Sequence, residues 1–348
     1  MTASLQALEA YCNPTSSKEQ VLIFGDMMVE YPFIMTKVSL TKCADYNAKN
    51  VNACLLRHFE LLGGLGSFIS RGDKVLIKPN MIAPKPAECA TQTNPVVIVE
   101  LAKILLDFGA RPFVGDSPAW TNAAACAAAI GITEPLKKMG VEIKQLDKPV
   151  SRRLQTCGTK IGISSVALDA DKIINLPKLK THQQLGATIA VKNMFGTVSG
   201  KSKAVWHYRK GKTFENFCTM LIDVYKLANP VLTIVDGIVA MEGPGPINGN
   251  PKKFGWLIGG AEPIAIELVC CDLMGFSPES LPIIQTAKKI GFGCMDKNNI
   301  QVLGDLPGGA GTEVVPAAQI PLVFSPVRVA KSILKQIILL LKAKNHTN

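Results

Sequence analysis

Two of the four histidines of this chain, His182 and His207, lie in one stretch, residues 172–214, with nine lysines and arginines and no acid. An imidazole can take or give a proton near neutral pH. A lysine crowded by other cations has its pKa pushed down, which makes its amine nucleophilic. His182, Lys192 and His207 are therefore the residues expected to carry chemistry. Lys178, Lys180 and Lys203 would join Lys192 in binding a carboxylate or phosphate, since low-dielectric walls make each charge count for more. The alternative is a solvated basic face. The cations are interleaved with Gly, His and apolar residues rather than with Glu, which favours one wall of a site.

Such a wall has to be delivered by something. The apolar run Ile173-Ile174-Asn175-Leu176-Pro177 reads as a buried strand that leaves Lys178, Lys180 and His182 on loops at its C-terminal end. Other strand ends supply further groups. Residues 73–80 end in Lys78-Pro79-Asn80, and residues 112–115 in Asp116-Ser117. Residues 231–235 run into Asp236-Gly237 and then into Met241-Glu242-Gly243-Pro244-Gly245-Pro246. Lys78, Asn80, Asp116 and Ser117 join the substrate-binding set; Asp116 and Ser117 could equally cap the next helix. Asp236 and Glu242 are the carboxylates expected to face the cations, to orient them or to bind a metal. The glycines and prolines of 243–246 either let backbone approach a ligand or form a plain turn.

Between these strands lie helical patterns: 47–62 (Val51, Leu55, Phe59, Leu62), 95–108, the Ala-rich 121–130, 217–227, 263–274 and 283–290. His58, beside Arg57 and Glu60 on the first, reads as a surface or packing histidine. Cys270 and Cys271 read as core. Strands alternating with helices predict parallel βαβ units with ligands at the C-terminal strand edges. The fold class is α/β: a mostly parallel sheet or sheets with flanking helices, as one domain or as two lobes with the site between them. Residues 1–33 read as a polar extension holding a short strand at 21–25, and 34–325 as the α/β domain. Residues 326–348 read as a basic amphipathic helix suited to an anionic membrane, a partner or the protein's own core.

A chain of 348 residues with 47% hydrophobic content and a mean hydropathy of +0.22 can bury a substantial core. The net charge of +11 favours acidic partners. Aromatics are only 6%, with no run interleaved with arginine, so nucleic acid is not expected. The ten cysteines form no CxxC and match no zinc or iron–sulfur spacing. Scattered cysteines, no secretory leader pattern and no apolar run of membrane-spanning length give a cytoplasmic expectation, with a membrane-peripheral variant through the tail.

The ordered set VLIKPN (75–80), GDSP (115–118), INLPKLKTH (174–182), AVKNMFG (190–196), His207, VDGI (235–238) and MEGPGP (241–246) resembles the domain-of-unknown-function family 362 over about residues 35–300. Members of that family often carry a ferredoxin-like module with iron–sulfur clusters. This sequence departs from them in having no such cysteine motif, so the resemblance implies at most an external ferredoxin-like redox partner. The order His182, Lys192, His207 is also similar to the lactate racemase family. There a lysine tethers a nickel pincer cofactor, and histidines ligate the metal and move protons. Together these imply an enzyme acting on a small anionic metabolite. The reaction would be redox chemistry with an iron–sulfur partner, or proton transfer assisted by a metal-containing cofactor. A non-catalytic protein that binds an anion, metabolite or cofactor is the other reading.

Overall fold

The run Val75-Leu76-Ile77 is apolar at every position, which is the pattern of a strand covered on both faces. In the computed structural model Val75 and Ile77 pack into one hydrophobic cluster and Leu76 into another. The structure describes residues 35–322 apart from 120, 200–201 and 308–312, together with two strands nearer the N-terminus. Residues 326–348, expected to form the basic amphipathic helix, and most of the extension 1–33 lie outside the described residues.

The strands are β1 Gln20–Phe24, β2 Met27–Tyr31, β3 Thr36–Lys42, β4 Lys74–Pro79, β5 Arg111–Asp116, β6 Ile143–Gln145 and β7 Pro149–Arg153. They continue as β8 Lys160–Ser164, β9 Lys172–Leu176, β10 Lys178–His182, β11 Gly186–Thr188, β12 Leu232–Glu242, β13 Asn250–Gly260 and β14 Ile300–Gly304. Ten of them form one mostly parallel sheet, ordered β14-β3-β13-β12-β9-β4-β5-β6, with β10 joined to β12 and β11 to β10. Within it β13 runs against both β3 and β12, and β11 against β10. The hairpins β1–β2 and β7–β8 stand apart from it.

Helices cover both faces. Ala48–Leu61 and Pro95–Phe108 pack on one, and Phe214–Ala228, Pro263–Leu273 and Pro282–Ile290 on the other. Pro95–Phe108 has clear sequence stops. The Asn94 side chain accepts from the Val96 N–H, Pro95 opens the helix, and Gly109 closes it at φ 92°, a left-handed angle that glycine adopts freely. His58 is fully buried, not on the surface: its Nδ1 lies 2.6 Å from Ser39 Oγ and its Nε2 2.8 Å from Thr41 Oγ1. Burial lowers its pKa to about 3, so it is a neutral packing residue.

The feature that builds the site is how β9 and β10 share one neighbour. The start of β12 pairs with β9 (Leu232 with Ile174, Thr233 with Asn175), and its later part pairs with β10 (Lys178 with Asp236, Lys180 with Met241). Pro177 sits between the two segments and its carbonyl accepts from the Asp236 N–H at 2.8 Å. The chain thus continues past the end of β9 as a second strand. Lys178, Lys180 and His182 are strand residues, not loop residues as expected. At alternate positions they share one face.

Lys178 is locked in the sheet. Its Nζ donates to Asp236 at 2.9 Å and to the Tyr46 hydroxyl at 2.7 Å. Asp236 also accepts from the Tyr46 hydroxyl and the Asn94 N–H. Removing one partner of a buried pair strands the other charge, at a cost of about 3–5 kcal/mol. Lys178→Met should lose stability of that order in urea unfolding, with the chain still folded; a loss under about 1 kcal/mol would contradict the pairing.

Candidate active site

At the C-terminal edge of the parallel strands lies a cavity of about 200 Å³. Asn80, Asp116, His182, Lys192, Lys203 and His207 all reach it. They arrive on several different elements.

Lys192 sits on the helical turn Ala190–Asn193, which runs into the tighter turn Met194–Thr197. Val191 and Met194 are buried in the core, and Lys192, Phe195 and Gly196 line the cavity. The turn is pinned by Glu267, whose carboxyl accepts from the Val191 N–H at 2.9 Å. A Cβ at Gly196 would collide with the Asp116 carboxylate and the Lys78 side chain, so only glycine lets this turn close over that pair. Lys203 and His207 come from the helix Ser202–Lys210. The Lys203 amine donates to the Ser117 carbonyl, and the Lys192 and Lys203 nitrogens lie 5.1 and 5.7 Å from the centre of the Phe195 ring.

The remaining groups behind the wall are held by hydrogen bonds. Asp116 accepts from Lys78 at 2.9 Å and from the Met81 and Ser117 N–H groups at 2.7 Å. Lys180 donates to Asn80 Oδ1 at 2.6 Å and to the Thr91 carbonyl at 2.7 Å. Asn80 in turn donates to Asn193, and Asn193 to Asn175. This chain of amides fixes the lysine behind the wall.

Electrostatics follow from burial. Around the cavity stand the amines of Lys78, Lys180, Lys192 and Lys203, against, among the described residues, the one lining carboxylate of Asp116, which Lys78 already engages. Burial, with mutual repulsion added, lowers Lys192 to about 8 and Lys203 to about 7, and takes Lys180 well below its usual range. Burial and then Lys192 depress both imidazoles, His207 to about 3 and His182 well below its normal value. Both rings are neutral at pH 7. The Gln184 and Leu185 N–H groups point to His182 Nδ1 at 3.1 and 3.3 Å, so that nitrogen is an acceptor and the ring proton sits on Nε2. The ring can therefore donate through Nε2 and not through Nδ1.

Several expected residues lie elsewhere. Lys78 and Lys180 stand behind the lining, and Ser117 contributes its backbone carbonyl to Lys203. The helix after Ser117 begins at Ala123 with Asn122 as its cap, so Asp116 and Ser117 do not cap it. Lys178 and Asp236 satisfy each other inside the sheet. Glu242 lies apart from the cavity cations: it is 3.7 Å from Lys252 and accepts from the Val315 N–H. The glycines of 243–246 serve a backbone contact. A Cβ at Gly245 would strike the Thr181 carbonyl, and the loop so held brings Pro246 and Ile247 to the cavity rim. Asn175, Asn193 and Glu267 were missed as supporting residues. A polar side chain inside an otherwise apolar strand or helix was the available signal.

Residues 75–272 match the sequence signature of the family described as "domain of unknown function (DUF362)". The chain is 36% identical over 258 residues to a thylakoid-associated protein of Synechocystis sp., an alignment covering 74% of this chain and 80% of that protein. Among solved structures it is similar to the lactate racemase apoprotein from Thermoanaerobacterium thermosaccharolyticum, with a TM-score of 0.45 and 15% identity. That match covers 75% of this chain and 63% of the racemase chain, so the chain spans less than two thirds of that protein.

Glu267 makes a direct test of the buried architecture. Burial raises its pKa from 4.5 to about 8. Between those values the folded protein keeps a proton that the unfolded chain has released, so this group's contribution is full below pH 4.5 and is lost as pH rises through 8. Glu267→Gln keeps an acceptor for Val191 and cannot ionise. Its urea midpoint should gain on that of the wild type as pH goes from 5 to 8; parallel pH curves would contradict a buried ionisable Glu267.

Proposed function

Because the chain belongs to the DUF362 family, whose description names no activity, we propose its function from the site itself. The protein is an enzyme that binds a small carboxylate- or phosphate-bearing metabolite in this cavity and moves a proton on it. The observation that carries this reading is the convergence of two neutral imidazoles and two amines of lowered pKa on one cavity whose sole lining carboxylate among the described residues, Asp116, is already paired.

The division of labour follows from the chemistry of each group. Lys203, with Lys180 behind it, supplies the positive field that holds the anion. His182 offers its Nε2–H to an oxygen of the substrate, the neutral-donor role in which an imidazole stabilises developing negative charge. Lys192, lowered to about 8, is the group able to take a proton near neutrality, while His207, lowered to about 3, lines the same cavity as a neutral ring. A metal ion held by side chains alone does not fit this set: among the described residues, no three of His, Cys, Asp and Glu come together. No step here is routed through a metal.

An anion entering the cavity draws both amines toward the ammonium form, so binding takes up protons. The affinity for oxalate, fully ionised throughout, should fall by more than about tenfold between pH 7 and 9, because the protonated fraction of a group of pKa near 7 falls by more than that. Isothermal titration at the two pH values measures it, and a flat response would remove the lysines from the binding step.

A panel of small carboxylates and phosphate esters, read by thermal shift, should contain stabilising members. At a hundredfold excess over Kd the gain is about 2.7 kcal/mol. With a substrate so identified, His182→Ala and Lys192→Ala should each lose about 10²–10⁴ in kcat while remaining folded. Full activity in both folded variants would overturn the assignment.

The Synechocystis relative is thylakoid-associated by its name, and among the described residues no helix is long and apolar enough to cross a membrane. We extend a peripheral association with an anionic membrane to this chain, through the basic residues of 326–348. Liposome flotation of the full chain and of one lacking 327–348 tests it; equal binding by both would refute it.

A further inference from the structure

Lys192 stands out among the cavity amines for what it lacks. Lys78 has Asp116, Lys180 has Asn80 and Thr91, and Lys203 has the Ser117 carbonyl. The Lys192 amine is seen only against the face of Phe195, with no hydrogen bond or ion pair to any described residue. It is half-buried and opens on the cavity. An amine that is kept from ion pairing, aimed into an enclosed space and flanked by a hydrogen-bond donor is arranged to meet a carbonyl carbon. A cationic neighbour stands ready for a carboxylate.

We propose that the substrates of this site are 2-oxo acids or their close relatives, and that Lys192 holds them as an imine. The inference rests on the anion-binding reading above and names its substrate class. The carboxylate lies toward Lys203 and the keto oxygen toward the Nε2–H of His182. The Lys192 nitrogen attacks the keto carbon, and the C=O π bond becomes a C–O single bond. Both hydrogens of the amine leave with that oxygen as one water, and a C=N bond forms in its place. No oxidant or reductant enters. Lys203, lowered to about 7, is suited to ferry the protons from nitrogen to oxygen, and Lys192, lowered to about 8, has a large neutral fraction at pH 7.5. The imine withdraws electrons from the adjacent carbon, so a proton there becomes removable. That links the covalent step to the proton transfer proposed for the site.

The test traps the imine. Wild-type protein is incubated at pH 7.5 with glyoxylate or pyruvate and sodium cyanoborohydride, then digested and mapped by mass spectrometry. The expected result is a secondary-amine adduct on the peptide containing Lys192. It should form at least about tenfold faster than on any exposed lysine, whose amine is almost wholly protonated at this pH. Oxalate should slow it, and it should be absent in Lys192→Arg. Labelling confined to exposed lysines, or labelling of Lys192 that oxalate leaves untouched, overturns the proposal. If oxalate stabilises the wild type in thermal shift and yet Lys192 is not labelled, the imine falls and the anion site stands. If oxalate neither binds nor protects, the anion site falls with it.

Discussion

Burial of amines is the constraint on which this structure turns. Lys78, Lys178 and Lys180 are among the largest fully buried side chains of the described protein. An ammonium group taken out of water must find acceptors or give up its proton. The fold answers differently at each one. Lys178 and Lys78 are given a carboxylate, Lys180 is given neutral oxygens, and Lys192 is given only an aromatic face. That gradient of satisfaction runs from the sheet interior to the cavity.

The backbone arrangement that makes this possible is the break at Pro177. Proline cannot donate to the ladder, so β9 ends there. The chain then continues along β12 as β10, beyond the point where β9 and β4 stop. The extra strand carries Lys178, Lys180 and His182 on one face over the C-terminal edge of the parallel strands, where ligands bind in open α/β sheets. The glycine-rich loop after β12 closes against that strand at Gly245, where a Cβ would strike the Thr181 carbonyl, and the turn around Gly196 closes over the buried Lys78–Asp116 pair.

Neutrality of the histidines follows from the same source. A ring surrounded by amines and removed from water is kept unprotonated, and the backbone donors at His182 Nδ1 fix which nitrogen carries its hydrogen. Glu267, a carboxyl held protonated well above its usual range by burial, secures the Lys192 turn through the Val191 N–H.

The chain by itself determined the α/β class, most of the helices and the paired motifs around His182, Lys192 and His207, because hydrophobic periodicity and turn residues are local properties. It also named the strand ends from which the lining residues Asn80 and Asp116 come. What it left undetermined was which cation faces which acceptor. Asp236 and Glu242 look alike in sequence, six residues apart; one is buried against Lys178 and the other turns to Lys252 at the surface. Lys178, Lys180 and Lys192 look alike too. The pairing of β10 with β12, a contact between residues nearly sixty positions apart, seals the first in the sheet and sets the second among amides, while the turn held by Glu267 leaves the third open to the cavity. Distance in space, not along the chain, sets a pKa, and that distance exists only once the sheet has formed.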